Sequence, residues 1–93
     1  MSNDNDRVLR VSIVTPFKIA YEGQVSSLIV PGELGYLGVL VNHAPLIADL
    51  VPGKIIVRDT SNRTSIFHSA GKGIIEVLEN NVNILVDSIE SSI

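Results

Sequence analysis

At 93 residues the chain has room for one hydrophobic core, and 45% apolar residues, with 12 Val and 12 Ile against two Phe, two Tyr and no Trp, describe a folded domain made of strands. Seven Lys and Arg against ten Asp and Glu leave a net charge of −3 with no basic cluster, which excludes nucleic acid and anionic membrane surfaces as partners. The lack of cysteine removes disulfides, thiolate metal sites and a cysteine nucleophile, and no apolar run approaches the ~20 residues that cross a bilayer, so no direct lipid insertion is expected.

Residues 1–6 are polar and acidic and read as a flexible tail; they fit neither a secretory signal nor an Arg-rich transit peptide, which makes the cytoplasm the default compartment. From Val8 the pattern has period two, with Leu9, Val11 and Ile13 on one face and Arg10 and Ser12 on the other. Thr15-Pro16 breaks it. A short run from Phe17 to Tyr21 is expected to end at Glu22-Gly23, and another, Gln24 to Val30, at Pro31-Gly32. Gly32, Gly35 and Gly38 recur every third residue through an ordered loop with one short strand at Val39 to Val41, closed by Asn42-His43-Ala44-Pro45. Leu46 to Leu50 leads to Val51-Pro52-Gly53, and Lys54 to Arg58 alternates before the polar turn Asp59 to Arg63. Thr64 to Ser69, Ile74 to Leu78 and Val82 to Val86 complete the pattern, the last two joined by Asn80-Asn81 as a hairpin, with Gly71-Lys72-Gly73 as a tight turn or β-bulge. No window of ten residues carries helical periodicity. The fold class is therefore all-β, a flattened β-sandwich of eight to ten short, mainly antiparallel strands over residues 7–90, with residues 91–93 as a C-terminal tail.

Candidate chemistry is sparse. His43 and His68 lack partners at metal-ligand spacing, so no metal is expected. Gly32-Glu33-Leu34-Gly35-Tyr36-Leu37-Gly38 lacks the Lys-Ser or Lys-Thr of a phosphate loop and precedes no helix, so neither a nucleotide nor any other cofactor is expected. There is no nucleophile elbow, and the carboxylates are scattered singly; Glu76, inside Ile74-Ile75-Glu76-Val77-Leu78, must face solvent, a sheet edge or a partner. These features argue against an enzyme. A carbohydrate- or small-ligand-binding sandwich is the alternative, and four dispersed aromatic residues make a poor platform for it.

Pro31-Gly32, Gly35, Gly38-Val39-Leu40, His43-Ala44-Pro45-Leu46 and Pro52-Gly53, flanked by Ile13-Val14-Thr15-Pro16, Tyr21-Glu22-Gly23 and Gly73-Ile74-Ile75-Glu76-Val77, resemble the N-terminal β-sandwich of the epsilon subunit family of rotary F-type ATP synthases. The resemblance implies a non-catalytic rotor subunit of the central stalk that links the gamma subunit to the ring of c subunits. Through it, ion-driven rotation is coupled to ATP synthesis at the cytoplasmic face of the cell membrane, the isolated subunit being a monomer. By the same resemblance, Glu33, Leu34, Tyr36 and Leu37 are the residues for the c-ring, and Thr15, His43, Leu46 and Ala48 those for gamma. Members commonly carry an acidic residue at the position of Tyr36, Pro-Gly at Val41-Asn42 and a second glycine at Lys72. They also continue into a two-helix hairpin, whereas this chain stops at Ile93, which implies that no intrinsic inhibitory latch is present.

Overall fold

The computed structural model describes residues 7–92, with side chains through Glu90; the expected N-terminal tail, and Ile93, lie outside the described residues. The described chain forms seven strands, β1 (Leu9–Val14), β2 (Ile19–Gly32), β3 (Gly35–Leu40), β4 (Leu46–Leu50), β5 (Gly53–Asp59), β6 (Thr64–Leu78) and β7 (Asn81–Ser92). All belong to one hydrogen-bonded sheet folded over on itself. β7 runs two residues into the segment read as a C-terminal tail, with Ser91 and Ser92 paired to Phe67 and Ile66.

Seven strands replace the expected eight to ten because β2, β6 and β7 each pass from one layer of the sandwich to the other. The first layer reads β2 (Ile19 to Val25), β1, β7 (Asn81 to Val86), β6 (Gly73 to Leu78), β4. The second reads β3, β2 (Ser27 to Gly32), β5, β6 (Thr64 to Ala70), β7 (Ser88 to Ser92). All neighbours are antiparallel except β1 and β7.

The crossings lie where the sequence inserts an irregularity. In β2 the register against β5 shifts between Val25 and Ser27, and inward-facing positions change from odd (Val25) to even (Leu28, Val30). The Ser26 hydroxyl spans this bulge, donating to the carbonyls of Arg58 and Asp59 at 3.2 and 3.3 Å. In β6 the register against β7 shifts between Ala70 and Gly73. Gly71 has a φ of +75°, a conformation that costs an L-residue about 1–2 kcal/mol, and the Lys72 N–H donates to Asp87 Oδ2 at 3.2 Å. The glycine-lysine-glycine segment is thus a β-bulge within one strand.

Glu22-Gly23 does not end a strand. Gly23 pairs with Val11 inside β2, and an added Cβ there would lie 2.7 Å from the Tyr21 hydroxyl, so glycine serves a close approach of the Tyr21 side chain, not a turn. The β6–β7 hairpin also shifts by one residue: Leu78 pairs with Asn81, and the two turn residues are Glu79 and Asn80, with φ of +50° and +62°. Both values are those of a type I′ turn, which matches the twist of the flanking strands.

Between the layers, Leu9, Val11, Ile13, Val25, Leu28, Val30, Val39, Leu50, Ile55, Val57, Phe67, Ile75, Val77, Val82, Ile84 and Val86 are buried. Apart from three Leu and one aromatic side chain, Phe67, this core is β-branched, and so is mostly stiff at χ1 and closely packed. The Tyr21 and Phe67 rings meet at its margin, with centroids 5.4 Å apart and planes tilted by 58°. No buried side-chain nitrogen or oxygen among the described residues lacks a hydrogen-bond partner.

Candidate docking surfaces

Glu33 and Leu34 form the tip of the β2–β3 hairpin, whose last rung pairs Gly32 with Gly35. The base of the hairpin is tied to the end of β4: the Glu33 N–H donates to the Asp49 carbonyl at 3.1 Å, and the Val51 N–H to the Pro31 carbonyl at 2.9 Å. Leu34 is fully exposed and Tyr36 is 60% exposed. Tyr36 stands on the outer face of β3, where its hydroxyl accepts a long 3.4 Å hydrogen bond from the Lys54 N–H. Leu37 is on the opposite face, half-buried against the core. A hollow of about 330 Å³ opens beside the tip, and Glu33, Leu34, Leu37, Leu46 and Ala48 line it together. The structure thus gathers three expected c-ring residues and two expected gamma residues around one depression, with Tyr36 outside it.

Thr15 and His43 are elsewhere. Thr15 is buried and its hydroxyl builds the β1–β2 turn, accepting from the Phe17 and Lys18 N–H groups at 3.2 Å each and donating to the Lys18 carbonyl at 3.3 Å. His43 lies in the connection between β3 and β4, next to Asn42, which is bonded to Asn80 at the far end of the first layer. Arg10 pairs with Asn81 at that end, and Thr15, just past the other end of β1, is five residues further along the chain, roughly 16 Å at strand rise. The His43 ring holds the Ala44 carbonyl at 2.6 Å through Nδ1, which donates because a carbonyl only accepts. His68 faces outward on β6 in the cross-strand row Lys54–His68–Glu90, and Glu76 faces outward from the first layer. Among the described residues no group of three His, Cys, Asp or Glu could hold a metal ion, and no helix is long and apolar enough to cross a membrane.

A second surface escaped the sequence reading. Ile19 pairs with Val14, Val14 with Leu85, Leu85 with Ile74 and Ile74 with Asp49, so one row crosses all five strands of the first layer on its outer face. Its first four side chains are apolar, Ile19, Leu85 and Ile74 are exposed, and Phe17, 90% exposed, stands beyond Ile19. The next row, Glu22, Ser12, Asn83, Glu76, Ile47, is polar except at its end. The apolar stripe therefore runs along one end of the layer to Asp49, where the hairpin tip is attached. The signal was present in the consecutive apolar residues Ile13-Val14, Ile74-Ile75 and Ile84-Leu85-Val86. A strand with one solvated face alternates; one that breaks alternation has both faces covered.

Among the described residues Tyr21 has a displaced titration: burial, and secondarily the Asp59 carboxylate, raise its hydroxyl above the usual value of 10.0. That group sits at the core margin, away from both surfaces.

Comparison with known proteins agrees with this architecture. The family model for the ATP synthase delta/epsilon chain β-sandwich domain matches residues 8–92. The ATP synthase epsilon chain of Leptospira borgpetersenii serovar Hardjo-bovis is 47% identical over 79 residues, 85% of this chain and 61% of that protein. The chloroplastic ATP synthase epsilon chain of Stigeoclonium helveticum is 38% identical over 84 residues, 90% of this chain and 61% of its own length. The chain thus spans about three-fifths of the curated relatives it matches. A chain of the Euglena gracilis mitochondrial ATP synthase superposes with a TM-score of 0.85 at 16% identity, over 91% of this chain and 54% of that one, which shows the shared fold. With the family model covering residues 8–92 and the β-sandwich fold present, the chain belongs to the delta/epsilon β-sandwich family of ATP synthase.

Proposed function

We propose that this sandwich is a non-catalytic part of the ATP synthase central stalk, seated between the gamma subunit and the c-ring so that ion-driven rotation is coupled to ATP synthesis. The observation that carries the reading is the pairing of two unpartnered apolar surfaces on one stiff body: the hairpin tip with Leu34 and Tyr36, and the stripe through Ile19, Leu85 and Ile74. Similarity to relatives named ATP synthase epsilon chain supports it. In this reading Glu33, Leu34, Tyr36 and Leu37 serve the c-ring, whose polar loops meet the tip. The gamma subunit covers the stripe and the His43 end of the same layer, with Leu46 and Ala48 shaping the hollow between. Thr15 acts by holding the β1–β2 turn that presents Phe17. As part of that complex the sandwich is then peripheral to the membrane, on its cytoplasmic face. We expect no inhibition of ATP hydrolysis from residues 7–92 by themselves, since the latch of longer family members is helical and every regular element described here is a strand.

The few anchors that dominate an interface contribute about 2 kcal/mol or more, about thirtyfold in affinity, and a buried charge in place of an apolar anchor adds a desolvation cost. Leu34→Asp should therefore release the c-ring while keeping gamma in co-purification, and Leu85→Asp should do the reverse. Both variants retaining both partners at wild-type stoichiometry would refute the assignment.

A further inference from the structure

We propose that Asn42 and Asn80 form a clasp whose function is to position His43 for docking. The claim that His43 docks on gamma rests on the reading above; the claim that the clasp orders the loop does not. The connection from Leu40 to Leu46, with five residues between, is the longest between the described strands. It turns at Val41-Asn42, where the His43 N–H donates to the Leu40 carbonyl at 3.1 Å and Asn42 has a φ of +67° while Val41 does not have a positive φ. That sign pattern is type II, a turn ordinarily set by Pro at the first central position and Gly at the second. Val41 stands at the first of these positions and Asn42, which tolerates the left-handed region, at the second, so the turn is held less firmly by its own residues than Pro-Gly would hold it.

It is fixed from outside. The Asn42 N–H donates to Asn80 Oδ1 at 2.6 Å, and Asn80 Nδ2 donates back to Asn42 Oδ1 at 3.0 Å. The amide orientation is unambiguous, because a backbone N–H can face only an oxygen, which leaves the Asn80 NH₂ for the other bond. Asn80 is 6% exposed, and its carbonyl accepts the Arg10 N–H at 2.8 Å, so the fixed half of the clasp is embedded where β1, β6 and β7 meet. Asn42, the exposed half, is the residue immediately before His43. Two left-handed asparagines 38 positions apart thus lock a loop to the sandwich, and the His43 ring, whose own bond reaches only to the adjacent Ala44 carbonyl, takes its placement from them.

The test uses this 93-residue chain and the recombinant gamma subunit of the same synthase. Asn80→Gly keeps the left-handed backbone of the β6–β7 turn and deletes the clasp. ¹⁵N relaxation should show the amides of residues 41–44 falling from a rigid order parameter of ~0.85 to below ~0.6. Gamma affinity by calorimetry should drop by about tenfold, the effect of two lost bonds and of an added ordering cost on binding. Adding Asn42→Gly should cost nothing further, as coupled partners require. A loop that stays ordered in Asn80→Gly overturns the clasp. A disordered loop with unchanged gamma affinity, while His43→Ala weakens binding, overturns its positioning role. If His43→Ala itself has no effect, the docking reading of His43 fails, and the relaxation result alone decides the clasp.

Discussion

Replacing Gly71 with Ala tests the idea that the β6 bulge is the corner on which both layers depend. At φ +75° an L-residue costs about 1–2 kcal/mol, offset by about 0.4–1 kcal/mol from the reduced entropy of the unfolded chain. The new methyl would lie 2.8 Å from Asp87 Cβ and 2.9 Å from Cγ, and closer still to its carboxylate oxygen. Asp87 must move, and the exposed bond from the Lys72 N–H, worth about 1 kcal/mol, is lost. The net expectation is a loss of about 2 kcal/mol, or roughly 8–16 °C in Tm for a domain of this size, measured by urea and thermal unfolding followed by circular dichroism. In an Asp87→Gly background the same substitution should cost only the left-handed backbone penalty, about 1 kcal/mol. A stability within about 0.5 kcal/mol of the parent, or an equal cost in both backgrounds, would refute the reasoning.

Glu79 is held at φ +50° without any benefit from its side chain, so Glu79→Asn, which tolerates that region and keeps the turn, should raise stability by about 0.5–1 kcal/mol in urea melts; a decrease would contradict the type I′ assignment. The raised Tyr21 hydroxyl favours the protonated form in the folded state, so its contribution is intact below pH 10 and fades as pH rises above it; Tyr21→Phe should flatten the alkaline limb of the stability profile, and identical slopes for the two proteins would count against it. Tyr36→Ala should weaken c-ring attachment by more than about 1 kcal/mol with little change in Tm, because the ring is 60% exposed in the isolated sandwich and outside its core; ring affinity equal to the parent's would remove Tyr36 from the interface.

The all-strand class was legible because period two is hard to imitate: Leu9, Val11 and Ile13, or Ile55 and Val57, left no other placement for the core. Strand boundaries were less so. Glycine marks turns, bulges and close approaches alike, and only the tertiary partner separates them: Tyr21 for Gly23, Asp87 for Gly71. At the candidate sites, spacing identified the hairpin tip but not the faces. Leu37, Leu46 and Ala48 are neighbours only because β3 and β4 come from opposite layers, and Thr15 is spent on its own turn. The stripe and the clasp join residues as far apart in sequence as Val14 and Leu85, or Asn42 and Asn80, which single-strand periodicity does not register.

β2 starts at Ile19, beside the stripe, and ends at Gly32, beneath the hairpin tip. Both contact regions therefore hang on one uninterrupted length of backbone, flanked along its course by β1, β3 and β5. A force applied at Leu34 is spread over these ladders side by side, in shear, and cannot open them one rung at a time like a zipper. Twisting one contact region against the other would demand sliding whole ladders or stretching covalent bonds, so an angular displacement delivered at one place reappears at the other with little lag.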